Sequence, residues 1–334
     1  MANERGDSGG PRDGMPCDKQ RQGEGEESGR REFLKKMVAL PAAVAAAQYA
    51  SGAAGAPPAP ADETKLPQIQ LGKHTVSRLI CGANTFGAGS HLSVFVNQEM
   101  KAYFTPDQIL KTLRRCQEVG IDCWQSGLGN LDLYRRLTAE GGKMSLLAIA
   151  SGDAAEIKAL AEGGCIGIAH HGETTDKLFK TGRLDEAREY LKRVRDAGLL
   201  VGVSTHMPAV VDAVESKGWD VDYYMCCIYE RHRSAADLEA LLGQAPIPVG
   251  EVYLPKDPPR MFKAMRATRR PCLAFKILAA GRLSERKEWV EKAFRETFEG
   301  IKPTDAVIVG FYDRYSDQPA EAAVLVRRYG AVRA

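Results

Sequence analysis

Leu71-Gly72-Lys73-His74-Thr75-Val76-Ser77-Arg78-Leu79-Ile80-Cys81-Gly82-Ala83-Asn84-Thr85-Phe86-Gly87 is the stretch on which the fold turns. Its run Leu79–Gly82 is short, continuously apolar and closed by glycine. Seven similar runs follow: Asp122–Gln125, Leu146–Ser151, Cys165–His170, Leu200–Ser204, Tyr223–Tyr229, Cys272–Ile277 and Ala306–Gly310. They are apolar throughout rather than alternating, as expected of parallel strands covered on both faces. Helical patterns lie between them. Thr105-Pro106-Asp107-Gln108 opens one with a capping residue and a proline at the first position, and Gly120 ends it. Leu184 to Ala197 is a second amphipathic helix, stopped by Gly198, and Trp289 to Phe298 a third. Eight strands alternating with helices predict a (β/α)8 barrel or an open doubly wound sheet. No GxGxxG follows the first strand, which favours the barrel.

The chain has 334 residues and a net charge of +3, with no basic block of the kind that binds nucleic acid. The one long apolar run, Met37 to Ala50, is too short for a membrane span, so no integral membrane body is expected. Residues 1 to 29 are polar and Gly-rich and predict disorder. Arg30-Arg31-Glu32-Phe33-Leu34-Lys35-Lys36 precedes the apolar run, and Ala54-Gly55-Ala56 follows as a cleavage site. That order reads as an export signal, and the paired arginines resemble the twin-arginine type. The expected partner is therefore the twin-arginine translocation machinery, and the expected location periplasmic or secreted. Met15 is an alternative start. Residues 1–56 form the leader, 57–65 a linker opened by Pro57-Pro58-Ala59-Pro60, and 66–334 the barrel. The cysteines show no CxxC spacing, and most sit in strand-like runs, so buried thiols are expected rather than bridges.

The quoted stretch is similar to the opening of aldo-keto reductases, in which a short hairpin closes the barrel floor before a first strand ending near Gly, Thr and Phe-Gly. Gly120-Ile121-Asp122-Cys123-Trp124, Val201-Gly202-Val203-Ser204 and Val307-Ile308-Val309-Gly310 fit the second, fifth and eighth strands in order, and Gln318 to Leu325 the helix that clasps the cofactor. The resemblance implies an oxidoreductase acting on a small polar carbonyl or sugar with NADP or NAD. The family's Tyr, Lys and Asp are missing where expected. Gln125 stands at the Asp position, Asn130 near the Tyr position with Tyr134 beyond, and Ser151 at the Lys position. Only a histidine remains, as His170 or His171. On the cofactor side the resemblance implies Ser204 with Thr205 and His206 at the nicotinamide amide, Met225 near the usual Gln, and Phe275 stacked on the ring. Lys276 and Arg282 fall in the pyrophosphate loop, and Gly310 and Arg314 near the adenosine end.

In a barrel the chemistry sits at the strand C-termini. Two further readings start there. His170, His206, Glu230 and His232 follow three consecutive strands, and imidazole plus carboxylate suits Zn or Mn in a lyase, isomerase or hydrolase. Lys276 in the seventh strand region forms a Schiff base or acts as a base if burial lowers its pKa, or else pairs with a carboxylate such as Glu251 or Asp313. A non-catalytic binding protein is the remaining alternative. It predicts that the polar strand ends do not converge.

Overall fold

The computed structural model describes residues 65–247 and 251–331. The leader and its signal, with most of the linker, lie outside the described residues. Elements run in the order β1 (Gln68–Leu71), β2 (His74–Ser77), β3 (Leu79–Gly82), α1 (Val94–Tyr103), α2 (Pro106–Glu118), β4 (Cys123–Ser126), α3 (Leu131–Ala139), β5 (Ser145–Ala150), α4 (Ala154–Glu162), β6 (Cys165–His170) and α5 (Gly172–Lys180). They continue as α6 (Asp185–Asp196), β7 (Leu200–Thr205), α7 (Pro208–Ser216), β8 (Tyr223–Cys227), α8 (Ala235–Leu242), α9 (Asp257–Ala267), β9 (Cys272–Phe275), α10 (Lys287–Gly300), β10 (Ala306–Gly310) and α11 (Gln318–Tyr329).

Strands β3 to β10 pair in parallel and in chain order, and β10 returns to β3 through Val307 to Gly310 against Leu79 to Gly82. The sheet is a closed (β/α)8 barrel, as the eight apolar runs predict. Helix α2 begins as its sequence dictates: the Thr105 hydroxyl accepts from the Gln108 N–H at 3.2 Å, Pro106 occupies the first turn, and Asp107 complements the dipole. All seven cysteines of the described residues are free and buried.

The hairpin β1–β2 buries Ile69, Leu71 and Val76 against barrel-interior side chains, among them Ile80, Leu147 and Tyr223. It closes the floor. The Ser-Arg pair of the opening stretch has a structural task there. Ser77 N–H donates to Asp122 Oδ1 at 2.7 Å. Buried Arg78 donates to the carbonyls of Asp305, Lys302 and Gly330 at 2.8, 3.0 and 2.5 Å, tying the floor to both ends of the last unit. Higher up, the fully buried Tyr223 ring fills the barrel because Gly202 leaves it room: a Cβ on Gly202 would lie 2.4 Å from Tyr223 Cζ. No helix among the described residues is long and apolar enough to cross a membrane.

Candidate functional site

The C-terminal ends of β3, β4, β9 and β10 surround a cavity of about 240 Å³. Its walls are largely apolar, with Leu92, Val96, Met100, Phe275, Ile277 and Leu278 in the lining. Two loops build it, one after β3 and one after β9. Five non-glycine residues among those described have positive φ: Ala88, His91, Lys276, Ala279 and Ala280. All five lie in these two loops, and three of them line the cavity. A left-handed conformation is costly for residues with a Cβ, and such strain concentrates where geometry serves a site.

Lys276 and His91 are the polar centre. Lys276 Nζ donates to His91 Nε2 at 2.8 Å, and His91 Nδ1 meets Glu251 Oε1 at 2.9 Å. The carboxylate fixes the ring proton on Nδ1 and leaves Nε2 as the acceptor. Glu251 is held in turn by Tyr253 OH at 2.8 Å and by Arg231. Arg231, itself buried, also reaches Glu173 at 2.6 Å. Burial, reinforced by Arg231, lowers the Lys276 amine to about 8. Burial, then the charges of Lys276 and Arg231, lowers His91 to about 4, so its ring is neutral at pH 7. Burial by itself raises Glu173, but Arg231 and His232 outweigh it and hold the carboxyl near 2. At pH 8 about half of such an amine is unprotonated, against about 0.3% for an ordinary lysine. The arrangement is a nucleophilic amine, an adjacent imidazole and an orienting carboxylate.

His91 was not among the residues singled out from the sequence. It sits in a loop with no periodic pattern, 185 residues from Lys276, and no local signal marks it. Glu251, named as a carboxylate partner of Lys276, acts one step removed, through His91.

The other expected residues come together only in part. His170 packs behind the barrel wall, not in the cavity: its ring meets Tyr190 of α6 at 5.1 Å and its Nδ1 meets Thr175 Oγ1 at 2.7 Å. Burial, then His171, lowers it to about 4. His171 is half-buried at the N-cap of α5 and also lies outside the cavity lining. His206 is buried on Asp176, Nδ1 to Oδ2 2.7 Å, yet desolvation still lowers it. It lies edge-on to Phe275 and to His232, 5.6 Å from each. His232 meets Glu173, and Glu230 pairs with Arg233 and Arg260. Of the metal set only His206 and His232 meet, while His170 and Glu230 are engaged elsewhere, and among the described residues no group of three or more His, Cys, Asp or Glu side chains is placed to hold a metal ion. The physical reason is that His170 points to the helix layer and arginines already neutralise the carboxylates.

The residues expected around a dinucleotide divide. Phe275, Lys276 and Gly310 line the cavity. Ser204 is wholly buried, its hydroxyl beside Gly172. Arg282 stacks on the Tyr253 ring at 4.2 Å and donates to the His91 carbonyl at 3.0 Å, and Arg314 pairs with Glu99 at 2.8 Å. Neither arginine lines the cavity. The Phe275 ring in the lining suits a planar group, and among the described residues no guanidinium lines the cavity to meet a pyrophosphate.

No family model and no curated protein matches the chain. Among solved structures it is similar to the glycerol dehydrogenase AKR11B4 from Gluconobacter oxydans, at 12% identity over 80% of this chain and 91% of that one, with a TM-score of 0.47. It is also similar to a truncated 3-deoxy-D-arabino-heptulosonate 7-phosphate synthase from Thermotoga maritima, at 12% identity over 78% and 90%, with a TM-score of 0.46. At these values the likenesses bear on neither substrate nor chemistry.

Proposed function

We propose that this barrel is an enzyme acting on a carbonyl compound, with the Lys276 amine as its reacting group. One observation carries the reading: Lys276 Nζ stands 2.8 Å from a neutral, carboxylate-oriented His91 in the wall of a cavity at the carboxyl rim. The unprotonated amine attacks the carbonyl carbon, forming a C–N bond while the oxygen takes up a proton. Loss of water from that adduct gives an iminium. Its positive nitrogen draws electrons from the adjacent carbon, which makes an α-proton or an α–β carbon bond easier to break. His91 is placed to take the proton the amine sheds and return it to the departing oxygen. The reaction class is an imine-forming lyase or isomerase.

The test is reductive trapping. Protein, an aldehyde and cyanoborohydride are incubated at pH 7.5, and the digest is read by mass spectrometry. The expected result is rapid alkylation of Lys276 ahead of every surface lysine, lost in Lys276→Met. Reaction at Lys276 no faster than at exposed lysines refutes the reading.

A second reading keeps the aldo-keto reductase resemblance and an oxidoreductase with NADP or NAD, favoured by the Phe275 ring in the cavity. The arginine placement weighs against it. Fluorescence titration with NADPH and NADH separates the two: saturable binding supports the oxidoreductase. We also read the chain as exported, on the strength of Arg30-Arg31 and the apolar run behind them. Replacing both arginines by lysine and following the protein in cell fractions tests this, with retention in the cytoplasm expected.

A further inference from the structure

We infer that the substrate of this site is a carbonyl compound with an apolar body, an alkyl or aryl aldehyde or ketone, rather than a polyhydroxylated or charged one. The inference rests on the Lys276 reading above and deepens it. Among the described residues no carboxylate and no guanidinium lines the cavity, and Lys276 is the one lining side chain charged at neutral pH. Some of the polar groups that line it are already engaged inside the protein, while the hydroxyls of Thr85 and Tyr312 are buried there without a partner among the described residues. Ser90 Oγ donates to Asn97 Oδ1 at 2.6 Å, Gln125 Nε2 to the Ser126 carbonyl at 3.2 Å, and Gln318 Oε1 accepts from the Tyr312 N–H at 2.8 Å. Those two hydroxyls can partner one polar group, but the rest of the wall is largely apolar, so a body hydroxylated along its length gives up more water contacts than it regains.

The apolar surface continues through the mouth. Leu92 both lines the cavity and is 45% exposed, and Val94 and Phe95 beyond it are 60% and 74% exposed. Leu92 spans the two loops: a Cβ on Gly281, in the loop after β9, would lie 3.2 Å from Leu92 Cδ1. Exposed large apolar side chains gathered at a cavity mouth are the signature of a surface that a ligand covers. An alkyl or aryl body running from the Lys276 carbon past Val96 to Leu92 places apolar atoms against apolar walls along its length.

The experiment compares butanal, hexanal, octanal and glyceraldehyde as trapping aldehydes at limiting concentration, with exposed lysines in the same digest as the internal control. The expected result at Lys276 is a rate rising by about fourfold per methylene buried, with glyceraldehyde slower than butanal, and a flattened series in Leu92→Ser. Leu92 is half-exposed, so that substitution leaves the core intact. Rates at Lys276 that ignore chain length, or glyceraldehyde reacting faster than butanal, overturn the apolar substrate while leaving the amine chemistry standing. Failure of all four aldehydes to mark Lys276 overturns both.

Discussion

Replacing Lys276 by methionine should make the protein more stable, and the gain should vanish at high pH. Burial penalises the protonated amine, lowering its pKa from 10.5 to about 8. At about 1.36 kcal/mol per pH unit, the folded state carries a penalty of about 3 kcal/mol. That penalty is complete below pH 8, shrinks as the pH rises toward 10.5 and is absent above it. Methionine fills a similar volume without the charge. It also leaves His91 Nε2 without its donor, a loss of about 1 kcal/mol. The expected net gain is about 2 kcal/mol at pH 7, falling to a small loss at pH 10.5. Urea unfolding of both proteins across that range measures it, and pH effects from groups that do not feel Lys276 cancel in the comparison. An amine held in a costly state is what a catalytic position requires and a structural one avoids. A variant less stable than the parent at pH 7, or a difference independent of pH, refutes the burial argument.

The remaining expectations concern the relay and the frame. His91→Ala should slow trapping at Lys276 at pH 7 by tenfold or more, and Glu251→Gln by less, since the carboxylate acts only through the ring. Acetylation of Lys276 should rise with pH to a plateau just above 8, whereas exposed lysines keep accelerating toward 10.5. Asp176→Asn should cost about 2 kcal/mol of stability in denaturant titration, because it weakens the acceptor for Thr205 Oγ1 and for both the ring and backbone N–H of buried His206. Gly202→Ala should cost about 2 kcal/mol by driving a Cβ into the Tyr223 ring, and the cost should fall in a Tyr223→Leu background.

The succession of elements was legible because it is local. Each strand is a short apolar run, and the β3, β6 and β10 bounds agree with the runs read from the sequence. Glycine stops and a Thr-Pro-Asp cap mark helix ends within a few residues of the chain. The Tyr223 run ends two residues earlier than its hydrophobicity suggests, because Ile228 and Tyr229 leave the strand while staying buried under the loop. The site was legible only in part. Lys276 stood out as a cation at a strand end. The faces of the histidines did not, since alternation along a strand makes adjacent residues point oppositely: Ala169 packs in the barrel interior while His170 meets the helices.

By itself the sequence determined what short-range physics can encode: the order of strands and helices, their approximate ends, and which runs are buried. Only the closed ring decided the rest. Pairing β10 with β3 brings the loops after β3 and β9 across one cavity mouth, so that His91 meets Lys276 185 residues away. That proximity depends on long-range pairing and on two left-handed backbone positions, and neither leaves a periodic trace in the chain.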